Sequence, residues 1–250
     1  MRMDVAFTPS DAGRRKTSGV CVVVDVLRAT SSIVTALSNG CGGIYPVRDS
    51  SEAFPFSDGT DVLACGERNG VRIPGYHLGN SPAEFSRQAV EGKRLVMCTT
   101  NGTRAIRAAA AYRRLFIGSF LNAPAVASRL AREEDDVTIL CAGGERKFCI
   151  EDTLCAGMIL SELEGKMSDA AVASVSLFEQ YHDRLAEVLE ESEHGRFLER
   201  IGFAADIAYC ARAGILNIVP EVLRSGEAPP HDLVVQAAVE ANTLREKRND

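Results

Sequence analysis

Short apolar runs recur along the chain, and the longest of them end in clusters of small, hydroxyl or charged residues. Residues 20–24 (VCVVV) lead into Asp25-Val26-Leu27-Arg28-Ala29-Thr30, and 62–65 into Gly66-Glu67-Arg68. Residues 95–98 lead into Thr99-Thr100-Asn101-Gly102-Thr103, and 137–141 into Ala142-Gly143-Gly144, with Glu151-Asp152 soon after. Runs of this length, rich in Val, Ile and Leu, read as buried strands, and the stretches between them carry helical spacing. The alternation predicts an α/β fold, a mostly parallel or mixed sheet flanked by helices in three layers.

Strands are expected at 5–7, 20–24, 43–47, 62–65, 95–98, 115–118 and 137–141, with a late strand at 215–219 closed by Pro220. Helices are expected over 31–38, 82–90, 103–111, 123–131 and 152–162. The pattern then becomes one long helical stretch from 170 to 193, with Glu187, Glu190, Glu191 and Glu193 on a wet face, followed by a segment at 204–212. Polar, glycine-bounded residues 11–19 read as a mobile loop, and the charged tail from Arg245 as a fraying end. A chain of 250 residues can fill one large core, so one domain is expected, with 1–163 carrying the site and 164–250 forming a mainly helical C-terminal part.

Composition narrows the function. A net charge of −6 argues against nonspecific nucleic-acid binding, which needs excess Lys and Arg to neutralise phosphates. No apolar run approaches the roughly 20 residues of a membrane span, and the first residues lack the apolar core of a signal peptide, so the expected location is cytoplasmic, with no membrane partner. Cys21, Cys65, Cys98 and Cys141 lie in or at the ends of apolar runs and no C-x-x-C pair occurs, which points to reduced thiols acting as small hydrophobes. Neither a Gly-x-x-x-x-Gly-Lys-Ser/Thr stretch nor a Gly-x-Gly-x-x-Gly fingerprint marks a nucleotide site.

In an open α/β sheet, ligands bind outside the carboxyl ends of the strands, so the polar clusters should meet at one rim. Thr99–Thr103 follows a strand and opens a helix; its amides and hydroxyls, and a glycine permitting close approach, suit a phosphate, although Asn101 or Thr100 could equally cap that helix. Ser81-Pro82-Ala83-Glu84 carries the signature of a helix start, and 75–80 brings two glycines and Asn80 toward a pocket. Asp25, Glu67, Glu151 and Asp152 are the carboxylates nearest strand ends; Mg²⁺ needs only a few such hard oxygens because it retains waters and takes substrate phosphate. Arg28 and Arg68 stand where a guanidinium can fork onto an anion, or make an ordinary ion pair. His77, His182, His194 and His231 show no metal-ligand spacing.

Asp25–Ser31, Gly66-Glu67-Arg68, Leu78-Gly79-Asn80-Ser81-Pro82, Thr99–Thr103, Gly118-Ser119-Phe120-Leu121-Asn122-Ala123 and Glu151-Asp152-Thr153-Leu154-Cys155-Ala156-Gly157 occur in this order. Together they closely resemble the 2-phosphosulfolactate phosphatase family, and the likeness resumes at 202–207. The resemblance implies an α/β fold particular to that family and a Mg²⁺-dependent hydrolase that removes phosphate from 2-phospho-3-sulfolactate, a step toward coenzyme M. It implies catalytic roles for Asp25, Arg28 and Glu67, and Mg²⁺ held by Asp25, Glu67 and Asp152. Substrate contacts would come from Arg68, which would face the substrate's carboxylate or sulfonate, and from Asn80, Ser81, Thr99, Thr100, Asn101, Gly102, Thr103, Ser119 and Asn122. The implied partner is a small anionic phosphorylated substrate, and a homodimer is the default assembly.

Water or Asp25 itself could attack phosphorus. A strand-end aspartate is similar to the nucleophile of haloacid dehalogenase phosphatases, but Leu27 occupies the place of their acid/base and cannot move a proton. A protein that binds a phosphometabolite without hydrolysing it is the competing class; the carboxylates speak against it, since acids beside a phosphate need a metal between them.

Overall fold

Continuous apolar runs become strands buried on both faces, and the clearest is β2 (Val20–Val24), where every residue is buried. Val20, Val22 and Val24 face a core shared with Val126, Leu154, Ile159 and Leu189. Cys21 and Val23 face a second core with Ile33, Leu37 and Ile106. Helices thus cover both sides of the sheet, the three-layer arrangement expected. The computed structural model describes residues 1–12, 19–53, 61–144, 147–227 and 231–238. Most of the polar loop expected at 11–19 and the whole charged tail lie outside them.

The other strands are β1 (Arg2–Ala6), β3 (Gly43–Val47), β4 (Val62–Arg68), β5 (Val71–Arg72), β6 (Arg94–Cys98), β7 (Arg114–Gly118), β8 (Val137–Cys141), β9 (Lys166–Met167), β10 (Pro220–Arg224) and β11 (Leu233–Ala237). The helices are α1 (Pro9–Ala12), α2 (Ala29–Ser38), α3 (Arg87–Val90), α4 (Gly102–Ala108), α5 (Ala123–Leu130), α6 (Ile150–Ser161), α7 (Asp169–Tyr181), α8 (Leu185–Glu191), α9 (Glu193–Arg200) and α10 (Ala204–Cys210).

Among the described residues the sheet order is β5-β4-β6-β3-β11-β10-β7-β2-β8-β1-β9. Two parallel sets, β4-β6-β3 and β7-β2-β8-β1-β9, are joined by the β10–β11 hairpin. The joins β3–β11, β11–β10 and β10–β7 are all antiparallel, so the two sets point in opposite directions. Their carboxyl ends therefore do not share one rim of an open sheet, as the sequence pattern suggested. They meet instead around a single cavity.

Three expectations change. The strand expected at 215–219 is irregular: Gly214 and Leu216 donate their amides to Phe120 and Leu121 in a neighbouring turn rather than to a strand. Pro220 opens β10 instead of closing a strand, a position proline tolerates because it lacks only the first ladder donor. The long helix from 170 divides into α7, α8 and α9. Ser192 adopts an extended backbone, and its hydroxyl accepts the Gly195 amide (2.8 Å), capping α9. A side chain at Gly195 would collide with the Leu189 carbonyl, so only glycine lets α9 fold back over the end of α8. Residues 82–90 likewise form a 3₁₀ turn and then α3, interrupted at fully buried Phe85 and restarted at Ser86.

Candidate active site

The cavity has a volume of about 570 Å³ and is lined by Asp25, Arg28, Glu67, Asn80, Thr99, Thr100 and Asn101 among the residues anticipated. These come from the loop after β2, the end of β4, the segment before α3 and the turn after β6. Glu67 is the best-anchored of them. Its Oε1 accepts the Thr100 amide (2.7 Å), and its Oε2 accepts the Gly70 amide (2.9 Å) and the Thr100 hydroxyl (3.2 Å).

Arg28 is buried at 3% exposure and tied on three sides. Nη1 donates to Asp206 Oδ2 (2.6 Å), Nη2 donates to the Gly70 carbonyl (2.7 Å), and the guanidinium lies over the Phe203 ring at 4.1 Å. Asp206, at 4% exposure on α10, also accepts the Ser81 hydroxyl (2.6 Å). Ser81 is thus committed to that network rather than to capping a helix or lining the cavity. Asn80 does line it, and its Oδ1 is buried without a hydrogen-bond partner. An unpaired buried acceptor costs about 1–3 kcal/mol, so a donor from a ligand would be favoured there.

In the turn after β6, Thr99 and Thr103 hold each other: each amide donates to the other's hydroxyl (3.2 and 3.0 Å). Thr103 is fully buried, Gly102 is buried beside it, and neither lines the cavity. The close approach that Gly102 permits is taken by the protein itself, because a Cβ there would stand 2.8 Å from Asp25 Oδ2 and 2.4 Å from Ala29 Cβ.

Four other anticipated residues stay outside the cavity. Successive strand residues point to opposite faces, so with Glu67 turned inward Arg68 turns away and donates to the Glu67 and Arg48 carbonyls and to Cys98 Sγ. Ser119 and Asn122 are fully buried and bonded together, and Asn122 Nδ2 pins the irregular segment through the Ile218 carbonyl (3.0 Å). Asp152 accepts the Val26 amide on Oδ1 (2.8 Å) and the Gly143 amide on Oδ2 (3.1 Å), clamping the loops after β2 and β8 together. One residue earlier, Glu151 is the acid of α6 that faces the cavity.

Burial and neighbouring carboxylates act on the acids in and beside the cavity. Asp25 is pushed up to about 6, chiefly by burial; His194 and the Ala29 amide pull it down, while Glu67 and Glu151 add to the rise. Asp152 is raised as well, by burial and then by the charges of Asp25 and Glu151. Burial, Glu151 and Asp152 together raise the Cys149 thiol at the cavity wall, so it is a neutral thiol and not a thiolate nucleophile. Among the described residues no three of His, Cys, Asp and Glu are grouped to cage a metal ion. A Mg²⁺ site needs less, and Asp25 with Glu67 offers two hard-oxygen donors on one cavity; Asp152, which does not line it, completes no such set.

The sequence profile of the 2-phosphosulpholactate phosphatase family matches residues 6–225. The chain belongs to the 2-phosphosulfolactate phosphatase family. It is 46% identical to a probable 2-phosphosulfolactate phosphatase of Symbiobacterium thermophilum over 80% of this chain and 90% of that protein. Similar proteins of the same description occur in Pseudothermotoga lettingae (43%, covering 87% and 94%) and Thermotoga maritima (38%, covering 88% and 95%). Family membership makes this chain an enzyme, a phosphoric monoester hydrolase. The matched span includes α9 and α10, which bring His194 and Asp206 to the site. Neither residue is marked by its sequence neighbours; the only hint was the family likeness at 202–207. Among the described residues, no helix is long and apolar enough to cross a membrane.

Proposed function

We propose that the enzyme hydrolyses 2-phospho-3-sulfolactate to 3-sulfolactate and phosphate, with Mg²⁺ as cofactor. What supports the reading is the gathering of Asp25, Glu67, Asn80 and the Thr99–Asn101 turn around one cavity from distant parts of the chain. Phosphate monoesters hydrolyse extremely slowly in water, so the site must position the attacking oxygen and stabilise charge on the phosphoryl group. Magnesium, when held by Asp25 and Glu67, supplies positive charge to the phosphoryl oxygens. Arg28 adds fixed positive charge at the wall, kept in place by Asp206 and Gly70. The turn after β6 offers the Asn101 backbone amide and the Thr99 hydroxyl to the remaining oxygens, and the unpaired amide oxygen of Asn80 offers an acceptor to the attacking water. The free thiols suit a reducing compartment, the cytoplasm.

Phosphate release measured across 2-phospho-3-sulfolactate, 2-phospholactate and other phosphorylated small acids, with Mg²⁺ and with EDTA, tests this reading. The expected result is metal-dependent turnover with the highest kcat/KM for the sulfonate. Turnover of another acid in preference to it would overturn the substrate assignment, and full activity in EDTA would overturn the cofactor.

A further inference from the structure

Two cavity residues take no part in the frame described so far. Glu151, in the first turn of α6, is 2% exposed and faces the cavity. His194, in the first turn of α9, is carried there by the elbow that Ser192 and Gly195 build, and its Nδ1 lies 3.5 Å from Glu151 Oε1. That separation is at the long end of a hydrogen bond, as is common for catalytic pairs before substrate binds. Among the described residues Nε2 has no partner, and the ring lines the same cavity as Asp25.

The groups around the imidazole come from several elements: Glu151 from α6, Asp25 and Arg28 from the loop after β2, Lys147 from the segment before α6, and Glu193 and Arg200 from its own helix. Burial pulls the imidazole down, but the hydrogen bond and charge of Glu151 and the charge of Asp25 outweigh it against Arg28, leaving the pKa above the ordinary 6.5. A carboxylate on Nδ1 that leaves Nε2–H free toward a reaction space is the arrangement of an oriented proton carrier.

We propose that His194, oriented by Glu151, is the general acid that protonates the leaving oxygen of the substrate. The inference rests on the phosphatase reading and adds a residue to it. As the ester P–O bond breaks, its electron pair goes to the leaving oxygen, and the Nε2 proton moves to that oxygen to give the product hydroxyl. The water oxygen forms the new bond to phosphorus; one of its protons stays on the phosphate and the other restores the imidazolium. No further reactant is required.

The leaving group provides the test, because p-nitrophenolate departs without a proton whereas the alkoxide of a lactate does not. His194→Gln should lower kcat with 2-phospholactate by roughly a hundredfold or more, the usual range for general acid catalysis, and with p-nitrophenyl phosphate only slightly. Glu151→Gln should show the same selectivity at smaller size, and the double variant should lose no more than His194→Gln alone, as residues acting as a unit do. Equal losses on the two substrates, or additive losses in the double variant, overturn the proton donor. If the wild type releases phosphate from neither these substrates nor 2-phospho-3-sulfolactate, the phosphatase reading itself fails.

Discussion

The two walls of the cavity are built on opposite plans. On the wall formed by the ends of β2, β4 and β6, polar atoms are mostly committed to one another: Glu67 takes three donors, Thr99 and Thr103 cap each other, and Arg28 is divided between Asp206 and Gly70. On the wall formed by α9 and the segment before α6, His194 is held by one polar contact, and Glu193 and Arg200 border the cavity with no side-chain bond among the described residues. The difference separates frame from reagent. A residue fixed by several hydrogen bonds can shape a site and set its potential, whereas proton transfer needs a group with an atom to spare.

Asp206 joins the two plans, and removing it should have the largest effect on the fold. Breaking one partner of a buried ion pair leaves an uncompensated charge, which costs about 3–5 kcal/mol. Asp206→Ala should lose stability of that order in denaturant unfolding, together with activity, because Arg28 and Ser81 lose their common acceptor. Asp206→Asn, which keeps one acceptor oxygen for Arg28 and can donate its amide nitrogen to the Ser81 hydroxyl, should lose less. A cost below about 1 kcal/mol for the alanine variant would show that α10 is not a structural part of this wall.

Asp25 sharpens the contrast next, since it is a frame residue whose charge the frame does not satisfy. An acid raised in the folded state is neutral in both states below about pH 4, so it contributes no difference there. Between about pH 4 and 6 the unfolded chain ionises first and stability falls, and above about 6 the penalty is complete. Asp25→Asn removes that penalty. Measured in EDTA, the variant should match the wild type near pH 4 and exceed it near neutrality, by an amount on the order of 3 kcal/mol at most, from 1.36 kcal/mol per unit. It should be inactive throughout, and an unchanged stability difference across this range would place the Asp25 carboxylate in water.

Much of the first wall was legible in the sequence, and the reason is local. A strand buried on both faces must be a run of apolar residues, and its end must turn, so the polar residues that follow stand out; 20–24, 43–47 and 137–141 coincide with β2, β3 and β8. The second wall was not legible because nothing near His194 records which distant strand end it will face. Side-chain direction was also beyond reach: Glu151 and Asp152 are neighbours on one helix turn, yet only one faces the cavity, and the choice depends on how α6 packs. The hairpin of 220–224 and 233–237 reverses one parallel set against the other by long-range pairing with β7 and β3, for which neither segment alone carries a signal.

Arg68 is the residue on which the distinction between walls makes its smallest and most exacting prediction. In sequence it is the equal of Arg28, a guanidinium just past an apolar run. In the structure strand alternation turns it away from the cavity, and its donors go to the Glu67 carbonyl (2.9 Å), Cys98 Sγ (3.0 Å) and the Arg48 carbonyl (3.3 Å). These are partly exposed bonds to neutral acceptors, so Arg68→Ala should cost about 1 kcal/mol of stability and leave kcat and KM within about threefold of the wild type. The informative failure is specific: KM rising steeply while kcat holds would mean that uniform binding energy had been removed. Arg68 would then reach the substrate's second anionic group, the β4 end would have to rotate when substrate binds, and the first wall would supply a reagent as well as a frame.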